Sequence, residues 1–305
     1  MSTAIISNAK QIETRSPFAS MMIKWRKLKK LSQLDLALES EVSQRHISFM
    51  ESGRSKPSRE MVLALAEVLG VPLRDRNHLL SAAGFAPIFK ERALDNEEMS
   101  SVQHALEMSL AHHEPYPAIV ADRNWNLVMR NEASVRMISL MGEPEEVWKR
   151  VDPSGNKNVY RLTFHPQGMQ PLISNWTEMA KLLLFRLQRE VTADPNNTFL
   201  SDLLEEVTEM SGLDVGRTVA DMSQPLAPIL PMEMTTAGMT LKVFSMISSF
   251  GTALDITAEE LKVETFFPAD EFTKVFLNAC LSKLISVVDY ALFFVRSEKT
   301  IRTEP

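Results

Sequence analysis

Between Met21 and Ala83, apolar residues recur three and four positions apart in five short runs broken by Ser, Gly and Pro, the pattern of small amphipathic helices sharing one core. The runs cover 21–30 (Met22, Trp25, Leu28), 32–39 (Leu34, Ala37, Leu38), 43–50 (Ile47, Met50), about 59–69 and 72–83. Ser32 and Ser43 stand where a hydroxyl accepts from the free N–H groups of a helix start. Gly53 suits the left-handed end of a helix.

Beyond residue 90 the period changes more than once. Leu94, Met99, Val102, Leu106 and Leu110 predict one helical connector over 91–114, stopped by Pro115 and Pro117. Two strand-like runs at 117–122 and 125–130, around a turn at Arg123 and Asn124, predict a hairpin. Helices follow from Asn131 to Leu140, at 176–190, at 199–211 and at 216–222. Strands return at 233–236, 241–249 and 261–267. Strands, then helices, then strands describe an α+β domain with one antiparallel sheet, an order shared with PAS-type sensor folds. A final apolar run, 275–296, is long enough to span a bilayer. Lys283 and Asp289 near its middle are costly in lipid, so the reading is an amphipathic helix packed on protein, and no membrane partner is expected.

The predicted organisation is therefore an all-α five-helix domain (1–90), a connector (91–114), an α+β domain (115–273) and a C-terminal helix and tail (274–305). Charge divides along the same line. Residues 1–90 hold 14 Lys and Arg against 8 Asp and Glu, while the remainder hold 19 against 31, so a net of −6 conceals a basic headpiece on an acidic body. That asymmetry is expected of a nucleic-acid-binding module joined to one with another task.

The spacing of the second and third runs, joined by Ser40, Glu41 and Val42, is that of a helix-turn-helix. The residues Arg26, Leu31-Ser32-Gln33, Leu36-Ala37, Val42-Ser43, Ile47-Ser48, Glu51-Ser52-Gly53-Arg54, Pro57-Ser58, Leu65-Ala66 and Leu69-Gly70-Val71 resemble the Cro/CI (XRE-type) helix-turn-helix of phage and bacterial repressors. Glu41 departs from that pattern, which usually has glycine there, so a tighter or differently shaped turn is expected. Within the resemblance Ser43 opens the recognition helix and Gln33 matches a phosphate-clamping position; Arg54, Lys56 and Arg59 resemble further backbone contacts. Base reading falls to Gln44, Arg45, His46 and Ser48: arginine pairs bidentately with guanine, glutamine does so with adenine, and Phe49 can press on a thymine methyl. The implied partner is double-stranded DNA, read by a homodimer across two half-sites.

A second resemblance covers most of 115–273. Pro115-Tyr116-Pro117-Ala118-Ile119-Val120, Asp122, Trp125, Asn131, Ala133, Phe164-His165-Pro166, Asn175-Trp176, Leu187, Arg189-Glu190, Phe250-Gly251-Thr252, Asp255-Ile256-Thr257, Glu264 and Phe266-Phe267-Pro268-Ala269-Asp270 resemble the ligand-binding domain of MmyB-like transcription regulators. The resemblance implies a transcription regulator with a PAS-like domain that holds an apolar, fatty-acid-like effector. Candidate wall residues are Trp125, Met129, Phe164, Phe185, Phe244 and Met246, within a half also containing Met137, Met141, Met169, Met179, Met232, Met234 and Met239. Thioethers adapt to a ligand chain and fill irregular cores equally well. Arg130, Arg161 and His165 are the candidate polar anchors. The alternative is a regulator whose C-terminal domain serves only dimerisation or protein interaction.

Other chemistry finds little footing. A nucleotide-cradling loop is hard to place among 10 glycines, His165 has no recognisable nucleophile, and the pair His112-His113 diverges by about 100° on a helix, giving no metal-ligand spacing. No enzyme, cofactor or metal is expected. One cysteine, Cys280, fits a reducing compartment, and 1–16 lacks a signal-peptide pattern, so the expected location is cytoplasmic. Arg45→Ala should weaken and broaden DNA selection in a binding-site enrichment experiment; an unchanged recovered motif would reject base reading by Arg45.

Overall fold

A computed structural model describes residues 16–213, 229–236 and 238–281. The expected N-terminal tail, the expected helix at 216–222 and the part of the last apolar run beyond Leu281 lie outside the described residues. The chain forms two compact units, one from residues 1–92 with 251–259 and one from 93–250 with 260–305.

The first unit contains α1 (Pro17–Leu28), α2 (Gln33–Glu39), α3 (Gln44–Glu51), α4 (Arg59–Val68) and α5 (Leu73–Ala83). α1 begins four residues before its apolar period suggests, because the Ser16 side chain accepts from Ala19 N–H and Pro17 takes the first helical position. Ser32, Ser43 and Ser58 cap the next three helices in the same way. Phe18, Met22 and Trp25 of α1 meet Leu36 and Ala37 of α2, Ile47 and Met50 of α3, Val62 and Leu65 of α4, and Leu80 of α5. In α2 the inward face is Leu36 and Ala37; Leu34 and Leu38, expected to share it, are 50% and 71% exposed.

The turn after α2 has ordinary helix-end geometry despite lacking glycine. Glu41 itself takes the left-handed conformation, φ 56°. Val42 N–H donates to Ala37 C=O at 3.0 Å and Glu41 N–H to Leu38 C=O at 3.5 Å, the paired bonds of a Schellman ending. The expected change of turn shape is therefore absent; a side chain occupies a glycine conformation instead, with a local steric cost.

The segment 251–259 completes this unit. Ile256 N–H donates to Lys90 C=O at 2.9 Å, and Arg92 pairs with Asp255 at 2.7 Å. Pro72 precedes α5 and offers no side-chain cap, but Glu259 accepts from Leu73 N–H at 2.7 Å. A carboxylate there meets both the unpaired N–H and the positive end of the helix dipole.

The second unit opens with a 3₁₀ turn, Glu97–Met99, capped by Asn96, and α6 (Ser100–His113). The connector is thus shorter than the predicted 91–114 helix, since the Asn96 cap makes a fresh start. β1 (Ala118–Ala121), β2 (Leu127–Arg130), β3 (Met232–Thr236), β4 (Met239–Ser248) and β5 (Lys262–Pro268) form an antiparallel sheet in the order β2-β1-β5-β4-β3. Between β2 and β3 lie α7 (Glu132–Ser139), α8 (Pro144–Val151), α9 (Val159–Phe164), α10 (Trp176–Ala193) and α11 (Thr198–Ser211). α12 (Ile256–Glu260) precedes β5, and α13 (Glu271–Leu281) follows it. The fold is the expected all-α helix-turn-helix region followed by an α+β domain with an antiparallel sheet. Among the described residues, no helix is long and apolar enough to cross a membrane.

Side-chain alternation sorts the sheet into two faces. Ala118 and Val120 of β1 and Val263 of β5 pack with Leu106 and Leu110 of α6. Ile119, Glu264 and Phe266 point to the other face, into a cavity walled by helices. Because both faces are covered, all four residues of β1 are buried. The hairpin turn is longer than the expected two residues. Asp122 Oδ1 accepts from Asn124 N–H at 2.8 Å and Asn126 N–H at 2.9 Å, while Trp125, at φ 65°, turns inward and is fully buried. After α9 the chain folds back so closely that a Cβ on Gly168 would lie 2.2 Å from Leu162 O, which leaves room for glycine alone.

Glu41→Gly should stabilise the N-terminal unit by about 0.5–1 kcal/mol, the relief of left-handed strain exceeding glycine's added unfolded-state entropy. Urea unfolding measures it, and a destabilised variant would contradict the assignment of strain to Glu41.

Candidate functional site

In the first unit, a buried ion pair sets the angle of α3. Arg26 of α1 donates from Nε to Glu51 Oε1 at 2.6 Å and from Nη2 to Oε2 at 2.9 Å, and its Nη1 donates to Leu31 C=O at 2.9 Å. Gln33 of α2 donates to the same carboxylate at 2.7 Å. Glu51 is 5% exposed, and its hydrogen bonds and charge raise the Arg26 pKa against the opposing effect of burial. Gln33, the candidate phosphate clamp, is thus committed to Glu51 and joins α2 to α3.

The remaining DNA candidates lie on or beside the outward face of α3. Ser43, Gln44, Arg45, Arg54, Lys56 and Arg59 are exposed; His46, Ser48 and Phe49 are half-buried. The guanidinium carbons of Arg45 and Arg54 lie 5.2 and 5.9 Å from the Phe49 ring centroid, so Phe49 gathers both cations. Ser55 Oγ and His46 Nε2 are 3.4 Å apart. This is a polar, cationic helix face with an apolar centre, suited to base edges and the flanking phosphates.

The second unit contains a cavity of about 180 Å³. One water needs roughly 10–15 Å³ of such space, so this is more than a packing flaw. Met137, Met141, Met169, Met179 and Met232 line it with Leu127, Ile138, Trp148, Leu162, Leu183 and Phe244. Its polar wall is concentrated in Tyr160, Arg186, Ser245 and Glu264.

That polar pole is built around Trp125. Arg186 lies 4.4 Å from the Trp125 ring centroid and Lys262 4.3 Å from it. Glu190 accepts from Trp125 Nε1 at 2.9 Å and Lys262 Nζ at 2.6 Å. Arg186 Nε donates to the Tyr160 hydroxyl at 2.9 Å, its Nη1 is 3.5 Å from Glu264, and Ser245 Oγ donates to Glu264 at 2.7 Å. Burial lowers the Lys262 pKa despite Glu190 and raises that of Tyr160. Burial also opposes the charge on Arg186, but Tyr160 and Glu264 outweigh it and the pKa is raised. The guanidinium therefore stays cationic at the cavity wall.

Of the nine ligand candidates, Phe244 lines this cavity and the other eight stand outside its lining. Trp125 supports the pole from behind. Phe164 is fully buried, edge-on to Trp176 at 5.0 Å; Met129 packs with the α6 cluster; Phe185 and Met246 are exposed. Arg130 faces Glu145 at 3.4 Å, and His165 Nδ1 accepts from Gln167 N–H. Arg161 is clamped between Glu206 at 2.8 Å and Asp152 at 3.0 Å. Sequence reasoning missed Tyr160, Arg186, Ser245 and Trp148. A signal existed for one of them: Met179, Leu183, Arg186 and Glu190 follow helical spacing, so a charge falls on an apolar stripe.

Asp152 holds α9, and with it Tyr160, in place. It accepts from Ser154 Oγ at 2.5 Å, Asn158 N–H at 2.8 Å and Arg161. Burial opposes its charge, but these donors outweigh it and hold its carboxyl below the usual range.

A polar, cationic face on the third helix of a helix-turn-helix and a mostly apolar chamber are the features of a DNA-binding transcription regulator with a ligand-binding domain. Residues 22–75 match the helix-turn-helix family model, and residues 102–279 match that of the MmyB-like transcription regulator ligand binding domain. The chain belongs to the MmyB-like transcription regulators. No curated protein matches it.

Asp152→Asn should cost the C-terminal unit about 2–3 kcal/mol at pH 7, since it leaves Arg161 short of a buried partner. The folded pKa is depressed, so the stability Asp152 supplies is present above the unfolded value near 4 and is lost as pH falls below it. Urea unfolding from pH 7 to 3 should therefore show the deficit shrinking with acid; a constant deficit would refute the charge-based role.

Proposed function

We propose that the protein is a sequence-specific, non-catalytic DNA-binding regulator, acting as a homodimer, whose operator affinity is set by a small apolar, fatty-acid-like effector in the C-terminal cavity. The observation that carries this reading is the chamber: thioether and aliphatic walls with polar groups gathered around Arg186. An oxygen-bearing head group sits against Arg186 and the Ser245 hydroxyl, and the hydrocarbon body lies among the methionines, which repack around it at low cost. The strand order β2-β1-β5-β4-β3 supports the PAS-like reading of this unit.

Control requires the effector to bind two states of the protein unequally. Chain connectivity supplies a route. β4 and β5 contribute Val243, Ser245, Glu264 and Phe266 to the cavity wall, and the segment joining these strands, 251–259, is part of the N-terminal unit. The strands that wall the cavity are therefore joined, through the chain itself, to the segment in which Glu259 caps α5.

The test is an electrophoretic mobility shift on DNA selected by binding-site enrichment, with and without hexadecanoic acid and shorter acids. We expect a specific shift whose midpoint one acid moves by about tenfold, a typical coupling. A specific shift that every acid leaves in place would sink the effector reading while keeping the DNA-binding one.

A further inference from the structure

Among the described residues lining the cavity, Trp148 alone carries a buried polar atom with no hydrogen-bond partner, its indole Nε1. Trp148 is 3% exposed and sits on α8 among Ile138, Leu162, Met169 and Met179, all apolar. Trp125, by contrast, commits its indole N–H to Glu190, and Trp176 donates to Ser211 C=O. A buried tryptophan ordinarily finds a partner for its N–H, and one left without a partner sacrifices a water hydrogen bond. Phenylalanine would fill an apolar wall without that cost.

We infer that Trp148 Nε1–H is a specificity donor to a second oxygen of the effector, distinct from the head group at Arg186. The effector class is then an oxygenated acyl chain bearing a keto, hydroxyl or ester oxygen within its apolar body; a plain saturated acid satisfies the pole and leaves the indole unpaired. Spacing along α10 sets the separation. Met179 packs in the Trp148 cluster and Arg186 stands at the pole seven residues later, about 10 Å further along the helix axis at 1.5 Å per residue. This rests on the acyl-effector reading above and sharpens it.

The test titrates the full-length protein with hexadecanoic acid and with hexadecanoic acids carrying one keto oxygen at successive chain positions. Affinity should peak at one position, about tenfold above the unsubstituted acid, the worth of satisfying one buried donor. Trp148→Phe should remove the peak, so that the keto acids bind no more tightly than the unsubstituted acid does to the same variant. In the wild-type protein, the indole N–H resonance assigned to Trp148 should move downfield with the best isomer and stay in place with the unsubstituted acid, a readout that needs no variant to fold. Binding with no positional preference, or a peak that survives in Trp148→Phe, would overturn the donor role alone. Failure of every acid to bind would remove the acyl-effector reading and the donor role with it.

Discussion

A guanidinium taken out of water must be surrounded by acceptors, and this requirement shapes both units. Arg26 is satisfied only if α1, the start of α2 and the end of α3 converge on Glu51, so pairing one charge fixes the pose of the recognition helix. Arg186 is satisfied only if Tyr160 of α9 and Glu264 of β5 meet at one edge of a cavity, with the Trp125 ring behind them. Removing one partner of such a group leaves an uncompensated buried charge, a penalty of about 3–5 kcal/mol, so these geometries are held firmly.

The two arginines differ in what surrounds them. Around Arg26 the core is filled by interlocking aliphatic side chains, and the charge serves orientation. Around Arg186 the packing stops short, leaving a chamber whose walls are flexible thioethers. On the proposed reading, the cation and the apolar walls beside it give an amphiphile one place for its oxygen and another for its carbon chain.

The segment 251–259 ties these themes together. It is short, yet it supplies Asp255 to Arg92 and Glu259 to the uncapped start of α5. The strands on either side of it carry two of the polar groups at the pole, Ser245 and Glu264. The segment that completes the DNA-binding unit is thus continuous with the wall of the chamber.

Local rules read much of this protein directly. Serine caps, helical periods and the hairpin before Asn131 are properties of near neighbours, which is why the five N-terminal helices, the strands and the face bearing Gln44, Arg45 and Phe49 were legible in the sequence. The polar pole was not. Arg161 and Arg186 are the same residue type on helices, and only the tertiary arrangement decides that Arg161 is consumed by Asp152 and Glu206 while Arg186 reaches the cavity. Glu41 shows the same division: the chain marks a position that favours glycine, while the packing of α2 against α3 holds a glutamate in that conformation. Short-range pattern determines which segments are helix or strand because hydrogen bonds and apolar stripes repeat within a few residues; which buried charge finds a partner depends on residues far apart in the chain, and only the folded structure brings them together.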